Sequence, residues 1–134
     1  YGFEINKEYP NWAKLKEIPI VGLSPNVRWW DACVESDIIT FYDVFEHMED
    51  PFTCMAEIAK KLKPGGIVVF EQPDPASEQC FKQGLAWKHY RPFQHFYLLS
   101  RSNFEHLFGL FGLELVFSQQ HMPGRHCIIA KKVV

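Results

Sequence analysis

Two stretches of this 134-residue chain are nearly unbroken apolar runs, and between them apolar positions recur every three or four residues. Residues 37–42 and 67–71 are rich in β-branched and aromatic side chains, which predicts strands covered on both faces. Between them, Phe52, Met55, Ile58, Ala59 and Leu62 form one apolar stripe at helical spacing. Asp50 stands at the N-cap of that helix and Pro51 at its first position, where a missing amide hydrogen costs nothing. Lys60, Lys61 and Lys63 crowd its carboxyl end, where the helix dipole favours cations, and Pro64, Gly65 and Gly66 stop it.

The flanks continue the alternation. Residues 1–6 read as a strand, and 7–17 as a helix with Pro10 in its first turn. Residues 18–25 read as a loop broken by Pro19, Gly22 and Pro25, and 26–30 as a short strand ending at Asp31. Residues 76–98 are irregular and dense in aromatics. Ser100 or Ser102 caps a helix carrying Phe104, Leu107, Phe108 and Phe111, with Ser102 and Glu105 at capping-box spacing. Gly112 ends it, and residues 113–118 and 127–132 make a closing pair of strands. This order predicts an α/β domain, a mainly parallel sheet finished by an antiparallel strand pair.

Composition narrows the partners. A net charge of −2 offers no field for a nucleic-acid backbone, so no nucleic-acid partner is expected. Cys33, Cys54, Cys80 and Cys127 are scattered singly, which argues against zinc knuckles and disulfides and for reduced thiols in the cytoplasm. No apolar run approaches the ~20 residues a membrane span needs, and no membrane partner is expected. The aromatic fraction, 16%, is high enough for aromatics to line a pocket as well as a core.

Ligands of open parallel sheets bind beyond the carboxyl ends of the strands. The polar residues at those ends are Glu4, Asp31, Tyr42 with Asp43, and Glu71 with Gln72. A carboxylate there can accept two hydrogen bonds from a ribose diol, and another can accept from an adenine amine. The competing reading has Glu4 and Asp31 cap the turns that follow them. Asp43, Glu46 and His47 come just after a strand end, and His95 lies in the aromatic segment. Two carboxylates and two imidazoles can hold a divalent cation such as Mg2+, which would lower the pKa of a substrate hydroxyl. Without a metal, His47 or His95 is a candidate general base. The plainest alternative is that Glu46 and His47 brace a loop.

Residues 37–51, D-I-I-T-F-Y-D-V-F-E-H-M-E-D-P, are followed by L-K-P-G-G at 62–66 and the strand at 67–71. This ordered set closely resembles the central block of class I S-adenosylmethionine-dependent methyltransferases. It is most similar to the subgroup containing the ubiquinone-biosynthesis O-methyltransferases, which show E-H-x-x-D-P, a helix, L-K-P-G-G and a strand. The resemblance implies a Rossmann-like fold and S-adenosylmethionine as cofactor. Glu4 would hold the ribose hydroxyls, Asp31 and the Ala32 amide the adenine, and Tyr42 and Asp43 would lie near the methionine part. Asp43-x-x-Glu46-His47 resembles an acid-x-x-E-H motif associated with a metal in some relatives, which implies Asp43, Glu46, His47 and His95 as ligands. Residues 87–97 fall where the family recognises its acceptor, with Lys88 and Arg91 placed to meet an acidic group.

The family's first strand and glycine-rich turn would precede Tyr1, so the resemblance implies that 1–134 is a partial domain, truncated at the amino terminus and running from the second strand onward. A sheet edge left open there favours a homodimer. The function implied is methyl transfer to oxygen, nitrogen or carbon of a small-molecule acceptor. The alternative is a non-catalytic or truncated Rossmann-like module with an assembly role. A nicotinamide-dependent dehydrogenase would leave E-H-x-x-D-P and L-K-P-G-G unexplained.

Overall fold

The structure is a computed structural model that describes residues 2–4, 20–22 and 29–133. The chain divides into two compact units, Tyr1–Val34 and Glu35–Val134.

In the first unit β1 (Gly2–Glu4) pairs in parallel with β2 (Ile20–Gly22), Glu4 standing opposite Gly22. The strand expected at the amino end is therefore present. Two expectations are corrected: residues 20–22 are a strand rather than loop, and Trp29–Ala32 is a short helix, α1, rather than the end of a strand. The β-propensity of adjacent tryptophans misled, because propensity yields to tertiary context. The helix expected at 7–17 lies outside the described residues.

The second unit is built on a four-stranded sheet of order β3 (Ser36–Tyr42), β4 (Leu62–Pro73), β6 (Arg125–Lys132), β5 (Leu113–Met122). β3 and β4 are parallel, joined by α2 (Pro51–Lys61) as their crossover, while β6 pairs antiparallel with both β4 and β5. α2 starts where its cap dictates: an Asp50 carboxylate oxygen accepts from the Phe52 and Thr53 amides at 3.0 Å each. It stops at Lys61, earlier than its apolar stripe suggests, since Leu62 is already extended and pairs with Ser36. The glycines after it then serve the sheet. A Cβ on Gly66 would lie 2.9 Å from Lys63 O and 3.0 Å from Asp37 O, so only glycine lets β4 draw against β3.

One face of this sheet carries the core. Val68 and Phe70 of β4 and Ile128 and Ala130 of β6 are buried, as are Met55 and Ile58 of α2. Phe104, Leu107 and Phe108 of α4 (Arg101–Leu110) are buried as well. Phe70 is the hub. Its ring lies 5.2 Å from Phe41, 4.8 Å from Phe45, 5.1 Å from Phe104 and 5.8 Å from Phe108. Each fully buried phenyl contributes roughly 1.5–3 kcal/mol. The cap of α4 is Ser100, and its box partner is Asn103 rather than the expected pairing of Ser102 with Glu105. Residues 76–98 are less irregular than expected, since α3 (Glu78–Gln83) and a 3-10 turn, Gly84–Ala86, are formed there.

Candidate active site

The chain turns sharply as it leaves β3. Asp43 takes a positive φ of 51°, a conformation that Asp tolerates better than most residues, and its amide donates to Glu71 O at 2.9 Å. The 3-10 turn Phe45–His47 follows. It sends the Phe45 ring into the core, buries Glu46 beneath the loop and leaves His47 at the surface.

The aromatic segment is stitched onto this turn. Phe96 N donates to Glu46 O at 2.9 Å, and Tyr97 Oη donates to Phe45 O at 2.7 Å. His47 Nδ1 lies 2.7 Å from Gln94 O, and His95 Nδ1 lies 2.7 Å from His89 O. A carbonyl oxygen only accepts, so both rings carry hydrogen on Nδ1 and a lone pair on Nε2 when neutral. The two rings meet edge to face with centroids 4.8 Å apart. One ligating atom from each of Glu46, His47 and His95 lies within 4.8 Å of the others.

Glu46 is the unusual member. It is 1% exposed, and neither carboxylate oxygen has a hydrogen-bond partner. Burial, reinforced by the charge of Asp43, raises its pKa to about 7. Burial also lowers the pKa of His95, and that of His89 to about 4, with Lys88 and Arg125 adding to the second effect. Two imidazoles, each with a lone pair on Nε2, thus meet a buried acid whose pKa is raised to about 7. Such a set can take up, hold and release a proton.

Asp43 is not one of the converging ligand atoms. Arg125 Nη2 bonds its carboxylate at 2.5 Å and reaches Glu71 Oε1 at 3.0 Å. His121 adds a contact of 3.5 Å to the other Glu71 oxygen. This corrects the expectation that Asp43 joins Glu46, His47 and His95 around one metal. Mg2+ also fits poorly, because it takes oxygen ligands and two of the three remaining donors are imidazole nitrogens. Tyr42 ends β3 with its side chain exposed, at the position expected of it. Glu4 ends β1, whereas Asp31 and Ala32 lie in α1 rather than at a strand end. Arg125 was missed in the sequence; its only signal was a basic residue opening a strand after the Pro123–Gly124 turn.

With this geometry in place, comparison with known proteins is decisive. A family model described as a methyltransferase domain matches residues 1–117. The chain belongs to that methyltransferase family. No curated protein sequence matches it. Among solved structures, the methyltransferase domain superimposes on an S-adenosylmethionine-dependent methyltransferase from Thermotoga maritima with a TM-score of 0.70 at 16% identity, covering 98% of this chain and 72% of that one. The magnesium protoporphyrin IX methyltransferase of Synechocystis, solved with SAH bound, gives 0.69 at 11% identity, covering 98% and 63%. The N,N-8-amino-8-demethyl-D-riboflavin dimethyltransferase of Streptomyces davawensis gives 0.73 at 10% identity, covering 98% and 41%. The fold is therefore that of class I S-adenosylmethionine-dependent methyltransferases. No helix among the described residues is long and apolar enough to cross a membrane.

Proposed function

We propose that this methyltransferase domain moves a methyl group from S-adenosylmethionine to an oxygen, nitrogen or carbon of a small-molecule acceptor, and that residues 1–134 all belong to one such domain. The observation that carries this reading is the approach of two imidazoles, fixed through Nδ1, to a buried and unpartnered carboxyl group. The bound cofactor supplies an electrophilic methyl on a sulfonium. His47 or His95 accepts at Nε2 the proton that the acceptor atom loses, and Glu46 adjusts their basicity. The segment 87–97 positions the acceptor, consistent with catalysis that depends mainly on alignment. Glu4 holds the ribose diol, Asp31 and the Ala32 amide hold adenine, and Tyr42 and Asp43 lie beside the methionine portion. The E-H-x-x-D-P and L-K-P-G-G segments favour a place near the ubiquinone-biosynthesis O-methyltransferases.

Calorimetry on the whole protein tests this. Glu4→Ala is expected to weaken S-adenosylmethionine binding by about 1–3 kcal/mol, and Asp31→Ala by less. A protein that binds no S-adenosylmethionine at all would leave the assembly-module reading standing. A second reading places a divalent cation on Glu46, His47 and His95, favoured by the 4.8 Å convergence of their ligand atoms. That donor set suits manganese or zinc better than Mg2+. Loss of turnover in chelator, restored by one of those ions, would select it; unchanged turnover would select the metal-free base.

A further inference from the structure

We infer that Tyr97 is a positioning residue, whose hydroxyl holds the Phe45–His47 turn in the shape that brings Glu46 and His47 against His95. The inference deepens the proposed methyl transfer, and its catalytic consequence rests on that reading. Its geometric consequence does not.

The turn is weak by itself. It is a single 3-10 turn of three residues, a form with poorer hydrogen-bond geometry than the α-helix, and Val44 at its N-cap offers no side-chain bond. It leads on from Asp43, whose φ of 51° is left-handed. It also buries a carboxyl group with both oxygens unpartnered, which favours any shape that returns Glu46 to water. The local sequence thus pushes the turn open, and a contact from elsewhere must close it.

That contact comes from 52 residues along the chain. Tyr97 Oη donates to Phe45 O at 2.7 Å, and Met48 N donates to the same oxygen at 3.1 Å. The two donors occupy both lone pairs of the carbonyl on which the turn closes. The next carbonyl, Glu46 O, accepts from Phe96 N at 2.9 Å. Any residue except proline would supply that amide, whereas the bond to Phe45 O needs a side chain with a donor at its tip. The phenol is braced as well. Its ring stands edge-on to Phe45 at 5.6 Å, and Phe45 packs on Phe70 at 4.8 Å, so the core aims the hydroxyl.

Position explains what the bond achieves. Tyr97 lies two residues after His95, and Phe45 directly precedes Glu46 and His47. One bond therefore joins the two stretches of chain that carry all three groups, next to the groups themselves. Phenylalanine at 97 would fill nearly the same space and leave the bond unmade.

The whole protein tests this in three forms: wild type, Tyr97→Phe, and protein with 4-aminophenylalanine incorporated at position 97, which returns an N–H donor to the same ring. In wild type the ring protons of His47 and His95 should show a nuclear Overhauser effect, since the ring centroids lie 4.8 Å apart. It should be largely lost in Tyr97→Phe, with the far-ultraviolet spectrum unchanged, and recovered with the amine. Turnover should follow: kcat falls about two- to tenfold in Tyr97→Phe, the usual scale for one hydrogen bond, while KM for both substrates holds. A folded Tyr97→Phe protein that keeps the Overhauser effect overturns the inference. So does an amine that restores the fold but not the effect, or a change confined to KM, which would set the phenol against the acceptor. A lost effect with kcat intact upholds the positioning and overturns instead the base role given to the histidines.

Discussion

Asp43 and Glu46 are two acids three residues apart in one loop, and the fold treats them in opposite ways. Asp43 keeps half of its side chain in water and is bridged by Arg125, which also holds Glu71. Glu46 is sealed beneath the same loop with no hydrogen-bond partner for either oxygen. One acid is bridged by a cation; the other gains a pKa of about 7 through loss of water. Two acids of a single turn are thus set apart, and what separates them is solvent access.

The strongest way to break this contrast is turnover. With an acceptor in hand, Glu46→Ala and His95→Ala should each lower kcat by about 10²–10⁴, the usual scale for general acid–base groups. Asp43→Asn should cost roughly tenfold or less, about 1.4 kcal/mol, as loss of one charged contact. Equal losses at Asp43 and Glu46 would abolish the distinction.

The second effect is on stability against pH. The folded-state pKa of Glu46, about 7, lies above its ordinary value of 4.5. The folded protein therefore binds more protons than the unfolded chain between those values, and stability falls as pH rises across that window. The penalty is absent below pH 4.5 and complete above pH 7, on the order of 3 kcal/mol. Glu46→Gln should flatten this limb and raise the melting temperature at pH 8 in chelator. His89 has the opposite sign. Its folded pKa of about 4 is depressed from 6.5, so stability falls as pH drops from 6.5 towards 4, and His89→Gln should soften that acid limb. A melting profile unchanged by Glu46→Gln would mean that its carboxyl group reaches water.

The smallest effect should come from the cation. Arg125→Ala leaves Asp43 and Glu71 facing each other without compensation, at about 2 kcal/mol, since these groups are only partly buried. Chemical denaturation reads this directly. Asp43→Asn in the same background should recover part of the loss, because it removes one of the two repelling charges.

The unit 35–134 was largely legible because its signals were local. Asp50 and Pro51 mark the start of α2, and the apolar runs mark β3 and the centre of β4. The site was legible in part. Glu46, His47 and His95 share a motif and an aromatic segment that the fold brings together, and the Nδ1 bonds to Gln94 O and His89 O explain how. Arg125 was not legible. Its meeting with Glu71 depends on the antiparallel register of β4 and β6, which places Cys127 opposite Glu71 and Arg125 opposite Pro73. No local pattern encodes that register. The tryptophan pair at 29–30 failed for the converse reason, as a strong local preference gave way to its surroundings.

Arg125 lies 82 residues beyond Asp43 along the chain. During synthesis, β3, α2 and β4 emerge well before the hairpin that carries the guanidinium, and residues so far apart must wait for slow, non-local pairing. Until the hairpin docks, Asp43 and Glu71 stand as unneutralised neighbours, Tyr42 being paired directly with Glu71. The charge balance at this end of the sheet is thus completed only after β4, both later helices and β5 have been translated. A ribosome stalled before Arg125 would hold a polypeptide with the whole E-H-x-x-D-P motif and an uncompensated pair of acids.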